Sequence, residues 1–184
     1  MPPVFAVSGD KNSGKTTFLQ NVITVLHARG INAQGFLALH DLPHDLYHLQ
    51  NIQSQEKFPF MKRRFPPQPW PNHFKIYDEG ILAGNNLINN ALIHQPDLFV
   101  IDELGAFELD GRIWHDGFSK LIAAGIPLIF STHTRHLSAI IAKWNFKPSA
   151  LISIPDAKHT ERFPELIEYT LKNLKTIDSK TRPS

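Results

Sequence analysis

The chain has 184 residues, 42% of them hydrophobic, with 20% charged and a formal net charge of +2. That length fits one domain with a single substantial core, and the charge is too small by itself to argue for nucleic acid. Without cysteine there is no disulfide and no thiolate chemistry; without an apolar run of roughly 18 residues or a basic region leading into one, neither membrane spanning nor secretion is supported, and a cytoplasmic protein is the expectation.

The first element is a short, nearly continuous apolar run at 3–8, which suits a parallel strand buried on both faces. It leads into Gly9-Asp10-Lys11-Asn12-Ser13-Gly14-Lys15-Thr16, the pattern G-x-x-x-x-G-K-[ST] of a phosphate-binding loop. Phe18, Val22, Val25 and Leu26 then recur at helical spacing, and Gly30 stands where a left-handed cap would stop the helix. The loop therefore ends on a helix N-terminus, whose unpaired amides and dipole favour phosphate. Gly9 and Gly14 allow the close backbone approach that brings the amides of Asn12, Ser13, Gly14 and Lys15 onto phosphate oxygens. Lys15 reaches the β- and γ-phosphates, Thr16 offers its hydroxyl to Mg²⁺, and Thr17 is placed to touch the α-phosphate.

A second strand is predicted over 31–39. Two short apolar or aromatic segments, 47–52 and 58–65, flank a polar interruption and predict an antiparallel hairpin, so that about 40–78 reads as an insertion. Two clusters mark it. His40, His44 and His48 with Asp41 and Asp45 have a four-residue spacing that invites a zinc reading, but Pro43 breaks a continuous helix and no thiolate is present; a polar loop near the nucleotide edge is preferred. Lys57, Lys62, Arg63 and Arg64, interleaved with Phe58, Phe60 and Phe65, fit a hairpin with core aromatics and solvated charges, ahead of a substrate lid or a grip on single-stranded nucleic acid. The proline-rich stretch 66–71 must be irregular, and 74–77 is strand-like.

After a helix at about 79–93 comes Asp97-Leu98-Phe99-Val100-Ile101-Asp102-Glu103, a buried strand ending in two acids. Ligands of open α/β sheets bind outside the carboxyl ends of the strands, which brings these acids beside the loop. Asp102 then holds water on Mg²⁺, and Glu103 orients and deprotonates the water attacking the γ-phosphate. Asp102-Glu103-Leu104-Gly105 also fits the D-x-x-G of switch GTPases, but no guanine-selecting [NT]-K-x-D accompanies it. A helix at about 115–124 precedes a strand at 126–131 that runs into Thr132-His133-Thr134-Arg135-His136. Thr132 or His133 could sense the γ-phosphate or its attacking water. For His133 an ordinary loop histidine is an equal reading, and Arg135 reads first as a surface residue opening a helix and second as an internal arginine finger. Helices at 135–144 and 164–177, a strand near 149–154, a base-recognising loop at 155–162 and a frayed tail at 178–184 complete the chain. The alternation gives an α/β fold with a mostly parallel central sheet, flanking helices and an antiparallel hairpin insertion, in one domain over 1–184, and the phosphate-binding loop makes a P-loop NTPase the expected member of that class.

The loop segment 9–19, together with Val100-Ile101-Asp102-Glu103-Leu104-Gly105-Ala106-Phe107-Glu108-Leu109, resembles the small cytoplasmic nucleoside-triphosphatases first typified by thermophile enzymes, a family with a human cancer-related member. Its I-D-E-[IL]-G-x-[ML]-E-L stretch matches 101–109 with Phe107 in the Met or Leu place. The resemblance implies a RecA-like fold and slow Mg²⁺-dependent hydrolysis of ATP, GTP and other nucleoside triphosphates, and it marks Glu108, which spacing alone makes a loop acid. It spans roughly the first 40 residues and then 85–145. The Arg- and Gly-rich segment usual after the second strand is here Gly35-Phe36-Leu37-Ala38-Leu39-His40-Asp41-Leu42-Pro43-His44. Three function classes follow: a triphosphatase with ATP or GTP as substrate, first; a small-molecule or nucleotide kinase; and a nucleotide-gated binding module with little turnover. No motif names a protein partner or an oligomeric state.

Overall fold

A computed structural model of the chain describes residues 1–69, 74–154 and 161–181. Among the described residues eight strands form one sheet: β1 (Val4–Gly9), β2 (Ala33–Asp41), β3 (Leu46–Asn51), β4 (Lys57–Arg63), β5 (Phe74–Ile76), β6 (Leu98–Ile101), β7 (Leu128–His133) and β8 (Ala150–Ile154). Their spatial order is β5-β4-β3-β2-β6-β7-β1-β8. The half from β2 to β8 is parallel, and β3, β4 and β5 continue it beyond β2 as an antiparallel extension.

Side chains alternate across a strand, and this alternation divides the core into two. Phe5, Val7, Leu98 and Val100 pack under α1 (Lys15–Ala28) and α6 (Phe163–Thr181) through Leu19, Val22, Ile23, Leu26, Phe163 and Ile167. Val4, Ala6, Phe99, Ile101 and Phe130 face the other way, onto α2 (Asp78–His94), α4 (His115–Ala123) and α5 (Thr134–Trp144) through Ile88, Ala91, Phe118, Leu121 and Ile140. The continuous apolar character of β1 and β6 has this cause: each is covered on both faces.

The expected elements are present, with β7 shifted from 126–131 to end at His133, β4 ending at Arg63 rather than 65, and three further adjustments. Strand β2 begins at Ala33 rather than Ile31, because Gly30 turns left-handed (φ 75°) and the Ile31 N–H still donates to Leu26 O at 3.0 Å as part of the helix cap. Helix α6 continues to Thr181, past the expected start of fraying at 178, since no proline or glycine interrupts it after Pro164 until Pro183. A one-turn helix, α3 (Ala106–Leu109), follows the acidic pair where spacing suggested a loop. Pro43 lies in a 3₁₀ turn over Leu42–His44, where His44 pairs with Asp41 at 2.7 Å and His40 with Asp45 at 2.9 Å. Residues 70–71 of the proline-rich stretch, the following 72–73, and 155–160 of the expected base-recognising loop lie outside the described residues. Among the described residues no helix is long and apolar enough to cross a membrane.

Candidate active site

Strand β1 delivers the loop to the carboxyl edge of the sheet, and Gly14 caps α1 with a left-handed φ of 93°. The first turn of α1 has no acidic residue and no side-chain cap, so its amides remain available to an anion. Asp10, Lys11, Asn12 and Thr17 are exposed and Ser13 is half-buried, whereas Lys15 is buried. The Lys15 ammonium is held over the loop: Nζ donates to Gly9 O at 3.2 Å and Asp10 O at 3.0 Å, and lies 3.3 Å from Glu103 Oε1.

Strand β6 brings the acids to the same edge. Asp102 is fully buried and is fixed from three directions: Thr16 Oγ1 donates to Oδ2 at 2.7 Å, the Ala38 N–H donates to Oδ2 at 3.1 Å, and the Ser131 hydroxyl donates to Oδ1. Burial, helped by the Glu103 charge, pushes the Asp102 carboxyl up to about 6 against the downward pull of those hydrogen bonds. Ser131 also accepts the Glu103 N–H at 2.9 Å, so one hydroxyl orients both acids. Glu103 takes a left-handed φ of 64°, which turns the chain sharply after the strand. A hydroxyl and a carboxylate oxygen 2.7 Å apart at the loop are hard donors of the kind Mg²⁺ prefers, so Thr16 and Asp102 fit that ion.

On the facing side, His133 caps α5, its Nδ1 accepting the Arg135 N–H at 3.3 Å, and lies 4.0 Å from Asp10 Oδ1. The Arg135 Nε donates to His136 Nε2 at 3.1 Å. Lys15, Thr16, Glu103, His133 and Arg135 line one open cleft of about 1370 Å³, while Thr132 is fully buried in β7 beneath it.

The family model described as NTPase matches residues 4–154. The chain belongs to that NTPase family. The nucleoside-triphosphatase THEP1 of Thermoplasma volcanium is 26% identical over 145 residues, 73% of this chain and 78% of the relative. The crystal structure of THEP1 from Aquifex aeolicus superimposes with a TM-score of 0.66 at 17% identity, covering 93% of this chain and 98% of that one. A human cancer-related nucleoside triphosphatase, solved in solution, does so with a TM-score of 0.65 at 16% identity over the whole of both chains. These two likenesses establish the fold.

Sequence reasoning missed two groups in this NTPase site whose signal is tertiary. Ser131 looks like an ordinary strand serine until β7 is placed beside β6. Tyr47, from the insertion, enters the cleft wall with its ring stacked on His40 (4.2 Å, 6°), and burial raises its phenol. Glu108, flagged by the family stretch, is buried in α3 and its Oε2 accepts the Gly105 N–H at 2.9 Å, bracing the backbone that follows Glu103. Burial pushes its carboxyl up to about 7, although N–H groups of Gly105, Glu108 and Trp114 favour the ionised form.

The sign of this shift is testable. A carboxyl whose native pKa is about 7, against 4.5 unfolded, holds more protons in the folded state between those values, so its contribution to stability declines as pH rises from 4.5 and is lost above 7. In Glu108→Gln the amide oxygen still accepts from Gly105 without ionising. The variant should therefore lose less stability than wild type between pH 5 and pH 8, by a few kcal/mol at most. Urea titrations across that range measure it, and parallel curves for the two proteins would refute the assignment.

Proposed function

We propose that this NTPase is a Mg²⁺-dependent phosphohydrolase that removes the γ-phosphate of ATP, GTP and other nucleoside triphosphates with broad base tolerance, in the cytoplasm. The observation that carries the reading is the 3.3 Å approach of Lys15 to Glu103 beside the Thr16 and Asp102 pair, at the mouth of a phosphate loop. Lys15 meets the β- and γ-phosphate oxygens, and the amides of residues 12–15 and the exposed Thr17 hydroxyl cradle the rest of the triphosphate. Thr16 and Asp102 would hold Mg²⁺, which would supply positive charge beside the phosphates. Glu103 orients a water and takes its proton as the water oxygen bonds to the γ-phosphorus and the bond to the bridging oxygen breaks. His133 and Arg135, on the same cleft, are assigned the γ-phosphate contact and the balancing charge, and the buried Thr132 positions the end of β7 that carries His133 and leads into the helix of Arg135. Base tolerance is supported by the relatives' names, which specify nucleoside triphosphates and no base.

The test is phosphate release from Mg²⁺-ATP and Mg²⁺-GTP with no other acceptor present. Glu103→Gln should release phosphate about a hundredfold more slowly, the scale of losing a positioned base, while still binding nucleotide. A wild-type protein that binds nucleotide and releases no phosphate above background would instead be a nucleotide-gated binding module.

A further inference from the structure

The cleft is larger than one triphosphate requires: about 1370 Å³, against roughly 300–1,000 Å³ for an ordinary small-molecule pocket. Sheet order says where the surplus lies. The loop leaves β1, Glu103 follows β6, and the antiparallel strands β3, β4 and β5 lie beyond β2 on that same side. The step from Lys15 to Glu103 therefore runs toward the insertion, so the γ-phosphate end of a bound triphosphate faces it, and this inference rests on the orientation proposed above.

The walls there differ in kind from the loop. Tyr47, Phe74 and Phe107 form a continuous aromatic wall, with ring centroids 6.3 Å apart at 81° and 6.4 Å apart at 61°. His40, stacked flat on Tyr47, fixes the plane of that ring. A cation completes the arrangement. Arg63 lines the same space with its side chain 43% exposed, its Nε in a loose 3.8 Å pairing with Asp45. It also lines an adjoining hollow of about 590 Å³ with Lys62, Arg64 and Lys75, so the mouth is cationic. Arg63, Tyr47 and Glu103 line the same cleft, so a phosphate held by Arg63 shares that space with the γ-phosphate.

An apolar aromatic wall for a base and a guanidinium for an oxyanion, both beside the transferable phosphoryl group, match one class of molecule. We propose that this part of the cleft is an acceptor site for a nucleoside monophosphate, to which the protein transfers the γ-phosphoryl group of a bound triphosphate. The monophosphate oxygen forms the new bond to the γ-phosphorus, the bond from that phosphorus to the bridging oxygen breaks, and its electron pair leaves on the donor diphosphate. Two nucleoside diphosphates result. Near neutral pH the monophosphate is mainly a dianion, so the acceptor has no proton to lose and transfer, unlike hydrolysis, does not need Glu103 as a base.

The experiment follows the label from triphosphate carrying a radioactive γ-phosphate, with Mg²⁺, the full chain, and AMP, GMP, CMP or UMP at up to about 1 mM, the upper end of ordinary KM values. At least one monophosphate should yield labelled diphosphate and suppress phosphate release. Arg63→Ala should raise its KM roughly tenfold or more, the scale of one charge-assisted hydrogen bond. In Glu103→Gln, transfer should fall much less than hydrolysis. Release of phosphate unaffected by any monophosphate, with no labelled diphosphate, overturns the acceptor site and leaves the triphosphatase standing. Purely competitive inhibition against ATP without label also overturns it, since the monophosphate then occupies the triphosphate's place, as does an unchanged KM in Arg63→Ala. Transfer without hydrolysis in the absence of acceptor would sink the triphosphatase and keep this proposal; neither release nor label sinks both.

Discussion

Lys15→Ala should lower kcat/KM for triphosphate hydrolysis roughly a thousandfold, the upper end of what losing one preorganised electrostatic donor costs. The size follows from how the ammonium is held. It is buried, bonded to the carbonyls of Gly9 and Asp10, and 3.3 Å from Glu103, so its charge acts where water is largely excluded and its position is set before substrate arrives. Removing it takes away the positive charge that meets the phosphates and leaves the Glu103 carboxylate without that cation. Steady-state kinetics with Mg²⁺-ATP, paired with a thermal melt of the nucleotide-free protein, separates chemistry from folding. A loss below about tenfold in a well-folded variant would show that charge from elsewhere, such as Arg135, dominates transition-state stabilisation.

The largest effect on folding is expected far from any phosphate. Gly35→Ala should destabilise the protein by more than about 4 kcal/mol, beyond the ordinary range for a point substitution, and express mostly as insoluble or unfolded chain. Gly35 sits in β2 opposite Val100 of β6 with φ 122°, a conformation that side chains resist. An added Cβ would collide with the Val100 backbone, lying 2.7 Å from its nitrogen and 2.9 Å from its carbonyl carbon. Backbone cannot rotate aside as a long side chain can, so β2 and β6 would have to separate. That junction also aims the Ala38 N–H at Asp102, so any folded fraction should bind metal and turn over poorly. Urea unfolding of the soluble fraction measures the loss, and a midpoint equal to wild type would contradict the close approach.

What the sequence disclosed was whatever is encoded within a few consecutive residues. Residues 9–16 specify the loop through glycine positions and one lysine, and the apolar run ending at Asp102 and Glu103 specifies a buried strand with acids at its edge. The hairpin was legible because two apolar segments flank a polar interruption. The placing of Asp102 beside Thr16 followed from the strand edge, but its support by Ser131 and Ala38 did not, because those residues stand 29 and 64 positions away and come together with it only when β2, β6 and β7 align. Glu108 was hidden differently. By spacing it is one more polar residue after a strand; the family stretch marked it, and the turn of α3, folding its carboxylate back onto the Gly105 amide, shows what it touches. Tyr47 illustrates the same limit, since alternation in a hairpin says which residues share a face and not that the face borders a phosphate loop.

The manner in which the sheet grows past β2 bears on how such a protein could diversify. Parallel strands are joined by crossover connections that must pass over a face of the sheet, so inserting or deleting one rethreads the chain. Strands β3, β4 and β5 instead follow one another as simple reversals at the free margin, each hydrogen-bonded to its neighbour in order. They can be lengthened, trimmed or recoloured with new side chains while the crossovers that fix Lys15 against Glu103 keep their paths. One wall of the cleft is thereby a replaceable panel on a fixed frame, and what that wall admits is the property such a chain can change with least disturbance to the rest of the fold.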